Sequence, residues 1–401
     1  MAGASMAGGG AGGGAGGGAG GGAGGGAGGG AGGGAGGGAG FPVTLTDIYS
    51  STLVVDALVG SRDAIIEPDR LGPGVSGKPV LRRPDVERWD PWVRRFIGVQ
   101  SLLEGLRFEC SALPEAVSTS RQTAAWRREV AQAQAEREVS LYAQRGGASL
   151  ALVQLRRPGP RAFDVQLAKV LDWAELRRER ASEVLAQIDN QYAFWGAIVP
   201  FHTGRMRKTA ELVELVIQFA VFVEARFKHE LACLRPAELS PQVQPMITTP
   251  GHGSLPSGHA TQAYAVAHVL GALLGVAAPG QGGDREEQLQ RLAARIAVNR
   301  VVAGLHFPVD NLAGRLLGRC LGEYAVARMA PRLGGWTPRR FAGEAVEGHE
   351  DFIPAAQPLD GGAVACYQPW GVPVPASDDA ATPELLAQLW QGAWDECDYL
   401  R

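Results

Sequence analysis

KHELACLRP at residues 228–236 opens the stretch that decides the fold; it runs on through GHGSLPSGH at 251–259 and closes with NRVVAGLHFPVD at 299–310. Three short polar clusters are thus set in an otherwise apolar, helix-forming run. Apart from His229 and Glu230, they supply three cations (Lys228, Arg235 and Arg300), three histidines (His252, His259 and His306) and one carboxylate, Asp310.

Such a set suits a tetrahedral oxyanion. Two arginines offer planar forks of donors and the lysine a point charge, enough to neutralise oxygens carrying two or three negative charges. Ser257 and Gly258 stand just ahead of a helical pattern, where a hydroxyl, a backbone N–H and the helix dipole all favour an anion. His259 and His306 remain for chemistry, since imidazole near neutral pH presents either a lone pair or a proton. Asp310 follows His306 by four residues. On a helix the two share a face, and the carboxylate then holds one ring nitrogen protonated and leaves the other its lone pair. Singly, each of these residues reads as an ordinary solvated side chain. Their joint spacing is what carries the reading.

That spacing, K-x6-RP, then PSGH, then R-x5-H-x3-D, resembles the three-part signature of the superfamily joining vanadium-dependent haloperoxidases to type 2 phosphatidic acid phosphatases and bacterial class A acid phosphatases. All three parts occur in order; Asn299 replaces the usual Ser before the third-part arginine. The resemblance covers about 80 residues and implies an all-α fold of helical bundles. It also implies a cage in which Lys228, Arg235, Ser257, Gly258 and Arg300 bind the oxyanion, with His259, His306, His252 and Asp310 as the catalytic set. In the haloperoxidases the anion is vanadate, bound through the histidine matching His306, and hydrogen peroxide is activated there toward halide. In the phosphatases the match of His306 attacks phosphorus while that of His259 serves the leaving group and then water.

Three observations favour the haloperoxidase reading. The lipid phosphatases usually span membranes many times, and no span is expected here. The class A phosphatases are compact and exported, whereas this chain has a long helical region before Lys228 and no visible signal peptide. Finally, algal bromoperoxidases are similar in having a histidine seven residues before the one matching His259, the place of His252. The expected function is halide oxidation, bromide before chloride, with vanadate as cofactor and hydrogen peroxide, halide and a small organic acceptor as partners. A soluble phosphatase forming a phosphohistidine at His306 is the alternative, and a non-catalytic oxyanion-binding protein a third.

The first forty residues are almost only Gly and Ala in a four-residue period, which builds no core and reads as a flexible tail or linker. Residues 41–86 read as an N-terminal arm, with FPVTLTDIYSSTLVVDALVG in extended conformation before a Pro/Gly-rich part. Residues 87–401 form the expected helical domain, with the site core at 206–330. Within it, Trp92, Phe96, Val99, Leu103 and Leu106 mark one helical face. Further helices are expected at about 121–145 (largely exposed), 164–188, 206–233, 285–302 and 308–329, and a last one is capped by Thr382 with Pro383 at its first position. The aromatics Tyr192, Phe194, Trp195 and Phe201 read as core, or as the lining of a pocket.

A net charge of −3, with no basic block, argues against nucleic acid. Five scattered cysteines without a CxxC pair indicate free thiols. Glu211, Glu214 and Glu224 argue against a span in the helix before Lys228, and the apolar run after His259 falls short of the roughly 20 residues a bilayer needs. A soluble protein, cytoplasmic by default and compatible with homo-oligomer formation, is the expectation.

Overall fold

The computed structural model describes residues 52–65, 86, 89–111, 136–188, 191–200, 202, 204–275, 283–377 and 381–401. The tail at 1–40, the arm at 41–51 and 66–85, and 121–135 lie outside these. In chain order the elements are α1 (Thr52–Ile65), α2 (Pro91–Leu103), β1 (Leu106–Cys110), β2 (Glu138–Arg145), β3 (Ala148–Arg156), α3 (Pro160–Ala174), α4 (Arg177–Ala186) and α5 (Tyr192–Gly196). There follow α6 (Arg207–Leu231), α7 (Pro236–Leu239), α8 (Gly258–Leu273), α9 (Gly283–Val302), α10 (Pro308–Met329), β4 (Arg339–Phe341), β5 (Tyr367–Pro369) and α11 (Glu384–Glu396). The chain is predominantly helical, as expected, with one added sheet.

At the centre stands α8. Every residue of GHATQAYAVAHVLGAL is buried, and the helix packs against α10, α9 and α6. A helix apolar all round belongs in a core, and its alanines leave neighbouring backbones room to approach. The partner α10 answers with Gly314, Gly318 and Gly322, spaced four apart and therefore on one face. A Cβ at Gly314 would lie 2.6 Å from the Ser257 carbonyl oxygen, and one at Gly318 would lie 2.3 Å from that of Thr261. One at Gly322 would reach 2.9 Å from the His268 Cβ. Only glycine permits the approach.

The helix α6 delivers Lys228 to its own C-terminal turn, and a left-handed Ala232 (φ 47°) then stops it. Its first amides, Lys208 and Thr209, donate to the Glu396 carboxylate of α11 at 2.9 and 2.8 Å. Glu211 and Glu214 turn inward to pair with Arg94 and Arg95 of α2. Those arginines take the inner face of α2, so Val99 and Leu102 are buried while Trp92 and Phe96 are exposed. The face expected from Trp92 and Phe96 is thus rotated, and Leu106 already belongs to β1, beyond a left-handed Gly105.

The sheet was not expected. Residues 138–145, assigned from sequence to an exposed helix, form β2, whose Val139, Leu141 and Ala143 alternate inward and are buried. Gly146 and Gly147, at φ 58° and 80°, close the β2–β3 hairpin in the two-residue turn such a pair favours. The strand order is β1-β2-β3-β4-β5; β3 and β4 run parallel and the other neighbours antiparallel. The other corrections are smaller. Residues 52–65 are helical rather than extended, the expected helix at 164–188 breaks into α3 and α4 near Glu175, and α11 is capped by Pro383 rather than Thr382. Trp195 is fully buried in the core, and Phe201 lies outside the described residues. No described helix is long and apolar enough to cross a membrane, and the cysteines are free.

Replacing Gly318 by Ala forces a methyl against the α8 backbone and is expected to lower unfolding free energy by about 1–3 kcal/mol. Gly271→Ala, where a Cβ meets nothing within 4 Å, should be neutral or stabilising by up to about 1 kcal/mol. Urea unfolding of the two variants beside the parent measures both; equal midpoints for all three would remove the close-approach argument.

Candidate oxyanion site

The three clusters converge where α6, α8 and α10 meet. Lys228 comes from the end of α6 and Arg235 from the turn into α7. His252 sits on the loop before α8, Gly258 and His259 in the first turn of α8, and His306 just before α10. These six line one cavity together with Pro250 and Leu305. Its volume is about 10 Å³, room for about one water molecule, so a tetrahedral anion requires the flexible cation side chains to draw back. Ser257, Arg300 and Asp310 stand behind this lining, all buried. Within α10, Asp310 sits in the first turn behind Pro308. The Ser257 amide donates to the Asp310 carbonyl at 2.8 Å, tying the head of α8 to that of α10.

The hydrogen bonds settle which nitrogen of each ring is unprotonated. His306 Nδ1 and Asp310 Oδ2 are 3.0 Å apart, and Arg235 Nη1 lies 3.0 Å from His306 Nε2. Because guanidinium only donates, Nε2 is the acceptor and Nδ1 carries the hydrogen toward the carboxylate. Asp310 Oδ2 also accepts from the Phe307 amide at 2.9 Å, which fixes the carboxylate in turn. For His259, Nε2 lies 3.1 Å from the Gln187 carbonyl oxygen. A carbonyl only accepts, so Nε2 is protonated there and Nδ1 holds the lone pair. Arg235 reaches further, donating through Nε to the His252 carbonyl and through Nη2 to His252 Nδ1, both at 3.0 Å.

Burial sets the electrostatics. His259 and His306 are held well below the usual imidazole range, first by desolvation and then by the cations, Arg300 beside His259 and Arg235 beside His306. Both rings are neutral at neutral pH. Burial also brings the Arg300 guanidinium down to about 9, which leaves it a cation. It pushes the Asp310 carboxyl up, against the pull of the Phe307 amide, Lys228 and Arg235.

Lys228 and Glu224 are one turn apart on α6. Desolvation drives each toward its neutral form and the opposite charge of the other resists. The Lys228 ammonium donates to the carbonyls of Gly253, Ser254 and Pro256, which anchor it at the mouth of the loop. Gly258 has a steric role: a Cβ there would stand 2.5 Å from Glu224 Oε1.

Several buried donors lack a partner, among them Arg300 Nε, Arg300 Nη1 and Ser257 Oγ. Unmatched buried donors are costly. Two edges of a guanidinium and a hydroxyl beside two neutral imidazoles form a donor set that an oxyanion satisfies, and vanadate or phosphate both fit that chemistry.

Glu224 and Gln187 were not anticipated as part of this region. Glu224 carried one local signal, its position four residues before Lys228 on the inward face. Gln187 had none. It arrives from beyond α4, accepts His259 through its carbonyl, and through Oε1 accepts Arg300 Nη2 at 3.3 Å and Asn299 Nδ2 at 2.9 Å. Asn299 also donates to Glu183 at 2.9 Å, work that the shorter Ser usual at this place has no amide to do.

Two comparisons bear on this arrangement. Residues 212–332 match the PAP2 superfamily, described in those words. A vanadium-dependent bromoperoxidase of Ascophyllum nodosum is 33% identical over 97 residues, covering 18% of this chain and 17% of that protein, so the chain spans under a fifth of the relative it matches. The matched residues 212–332 contain all three polar clusters.

Proposed function

We propose that the protein is a vanadate-dependent haloperoxidase that uses hydrogen peroxide to oxidise halide, bromide more readily than chloride, to hypohalous acid. The observation that carries the reading is the unprotonated Nε2 of His306, its lone pair accepting from Arg235, at a cavity backed by the unpartnered donors of Arg300 and Ser257. When bound, vanadate supplies a Lewis-acid centre that activates peroxide toward halide. The chain does the rest. His306 Nε2 would hold the vanadium, with Asp310 fixing its tautomer; Lys228, Arg235 and Arg300 would neutralise the oxygens. Ser257 and the Gly258 amide add donors, and His259 Nδ1 takes and returns a proton while Gln187 keeps the ring oriented.

His252 supports halide oxidation over phosphate hydrolysis. It lines the cavity and contacts Arg235, so it acts on the cage without being one of its oxyanion donors. The similarity to a bromoperoxidase points the same way. The second reading, a phosphatase in which His306 Nε2 attacks phosphorus, draws on the same lone pair. Purified protein reconstituted with orthovanadate and assayed for peroxide-dependent bromination of a phenol dye, beside a phosphatase assay on the vanadate-free form, separates the two.

The histidines are expected to divide their roles. His306→Ala should abolish tight vanadate binding measured by calorimetry, whereas His259→Ala should retain binding and lose about 10²–10⁴-fold in turnover. Equal vanadate affinity in His306→Ala and the parent would end the ligand assignment. Arg300→Lys should weaken vanadate despite the conserved charge, because the fork is lost.

For His252→Ala, vanadate affinity should stay within a few fold while the barrier to bromide oxidation rises by about 1–3 kcal/mol. Steady-state kinetics at saturating vanadate measure it. An unchanged rate and bromide dependence would return His252 to the status of a loop residue.

A further inference from the structure

A second and much larger cavity, about 630 Å³, opens between the β3–α3 junction and the loop at 344–349. One wall carries Arg156, Arg157 and Arg161, and Val165 and Val346 contribute an apolar strip. Arg156 Nε forms an ion pair with Glu344 at 3.6 Å, beyond hydrogen-bond reach. In Arg157, Nη1 donates to the Leu231 carbonyl at 3.3 Å, while the buried Nε has no partner. Arg161, exposed at the start of α3, makes no ion pair among the described residues. The 15-residue α3 begins in the same wall, with no side-chain cap on its first amides, and its dipole adds to the positive field.

We propose that this cavity binds an aromatic carboxylate bearing a hydroxyl or amine, its carboxylate held by Arg157 and Arg161 and its polar substituent by Glu347. Three features select that class. The volume lies in the range of sites for organic molecules and far exceeds a bare inorganic anion, so the ligand has a body, which Val165 and Val346 cover. Guanidinium forks match a planar carboxylate and stack on flat rings. Glu344 is taken up by Arg340 and Arg156, which leaves Glu347 in the same lining against Arg157 and Arg161; that balance favours a monoanion over a dianionic phosphate ester, and Glu347, in no ion pair among the described residues, accepts from a hydroxyl or amine. The inference rests on this cavity alone and is independent of the vanadate reading.

Calorimetric titration of the full chain with 4-hydroxybenzoate, with and without excess orthovanadate, tests it. One saturable site tighter than about 1 mM is expected, with the same affinity in both conditions and no binding of the neutral 4-hydroxybenzamide. Arg157→Gln and Arg161→Gln should each weaken 4-hydroxybenzoate at least about tenfold, the loss expected for a charged hydrogen bond. Arg161 is exposed, so its variant tests the site even if Arg157→Gln fails to fold. Absence of saturable binding, undiminished affinity in Arg161→Gln, or displacement by orthovanadate, which would place the probe in the cage, overturns the proposal.

Discussion

Backbone contact between α8 and α10 is the constraint on which the site depends. With Gly314 and Gly318 against the Ser257 and Thr261 carbonyls, the two helices approach more closely than any side chain allows. The Ser257 amide then reaches the Asp310 carbonyl. This one bond fixes the head of the helix bearing His259 relative to the head of the helix bearing Asp310 and, through Asp310, the ring of His306. Widening the gap by a methyl would move two histidines with respect to each other. The stripe of small residues is therefore a device for positioning as much as for packing.

Charge is the second organising force. Lys228, Arg235 and Arg300 are all buried, an arrangement whose mutual repulsion and lost hydration disfavour the empty site. Backbone carbonyls take up part of the cost: Lys228 leans on those of the 253–256 loop, Arg235 on His252 and Leu305, and Arg300 on Val184. Carbonyl dipoles hold a cation in place without cancelling its charge. The field at the cavity stays positive, and the neighbouring imidazoles stay neutral.

The sequence disclosed the site better than the fold around it, for physical reasons. Lys228, Arg235, His259, Arg300 and His306 lie at fixed offsets from helix ends, so local spacing carried their geometry, and Pro308 announced the start of α10 directly. Sheet pairing depends instead on partners far away, and β3 meets β4 across almost two hundred residues. The stretch at 138–145 was misread because its alternation is brief and follows an Ala, Glu and Arg-rich run; the Gly146–Gly147 pair was the missed sign of a hairpin. Inward arginines on α2 were illegible for a similar reason. Nothing near Arg94 and Arg95 tells that Glu211 and Glu214 await them on another helix. Gln187 and Glu224 show the same limit at the site itself, since a buried polar group is recognised by what it touches.

The carboxylate of Glu396 caps amides 187 and 188 positions earlier in the chain. During synthesis α6 leaves the ribosome with its first amides open, and its cap emerges many seconds later at ordinary elongation speeds. Over that interval the helix bearing the first cation of the cage has lysine and arginine at its N-terminal end and nothing to offset the dipole there. The strand pairing of 153–155 with 339–341 imposes the same wait on the sheet. The full complement of contacts around α6 and the sheet thus depends on residues that lie far from the candidate site.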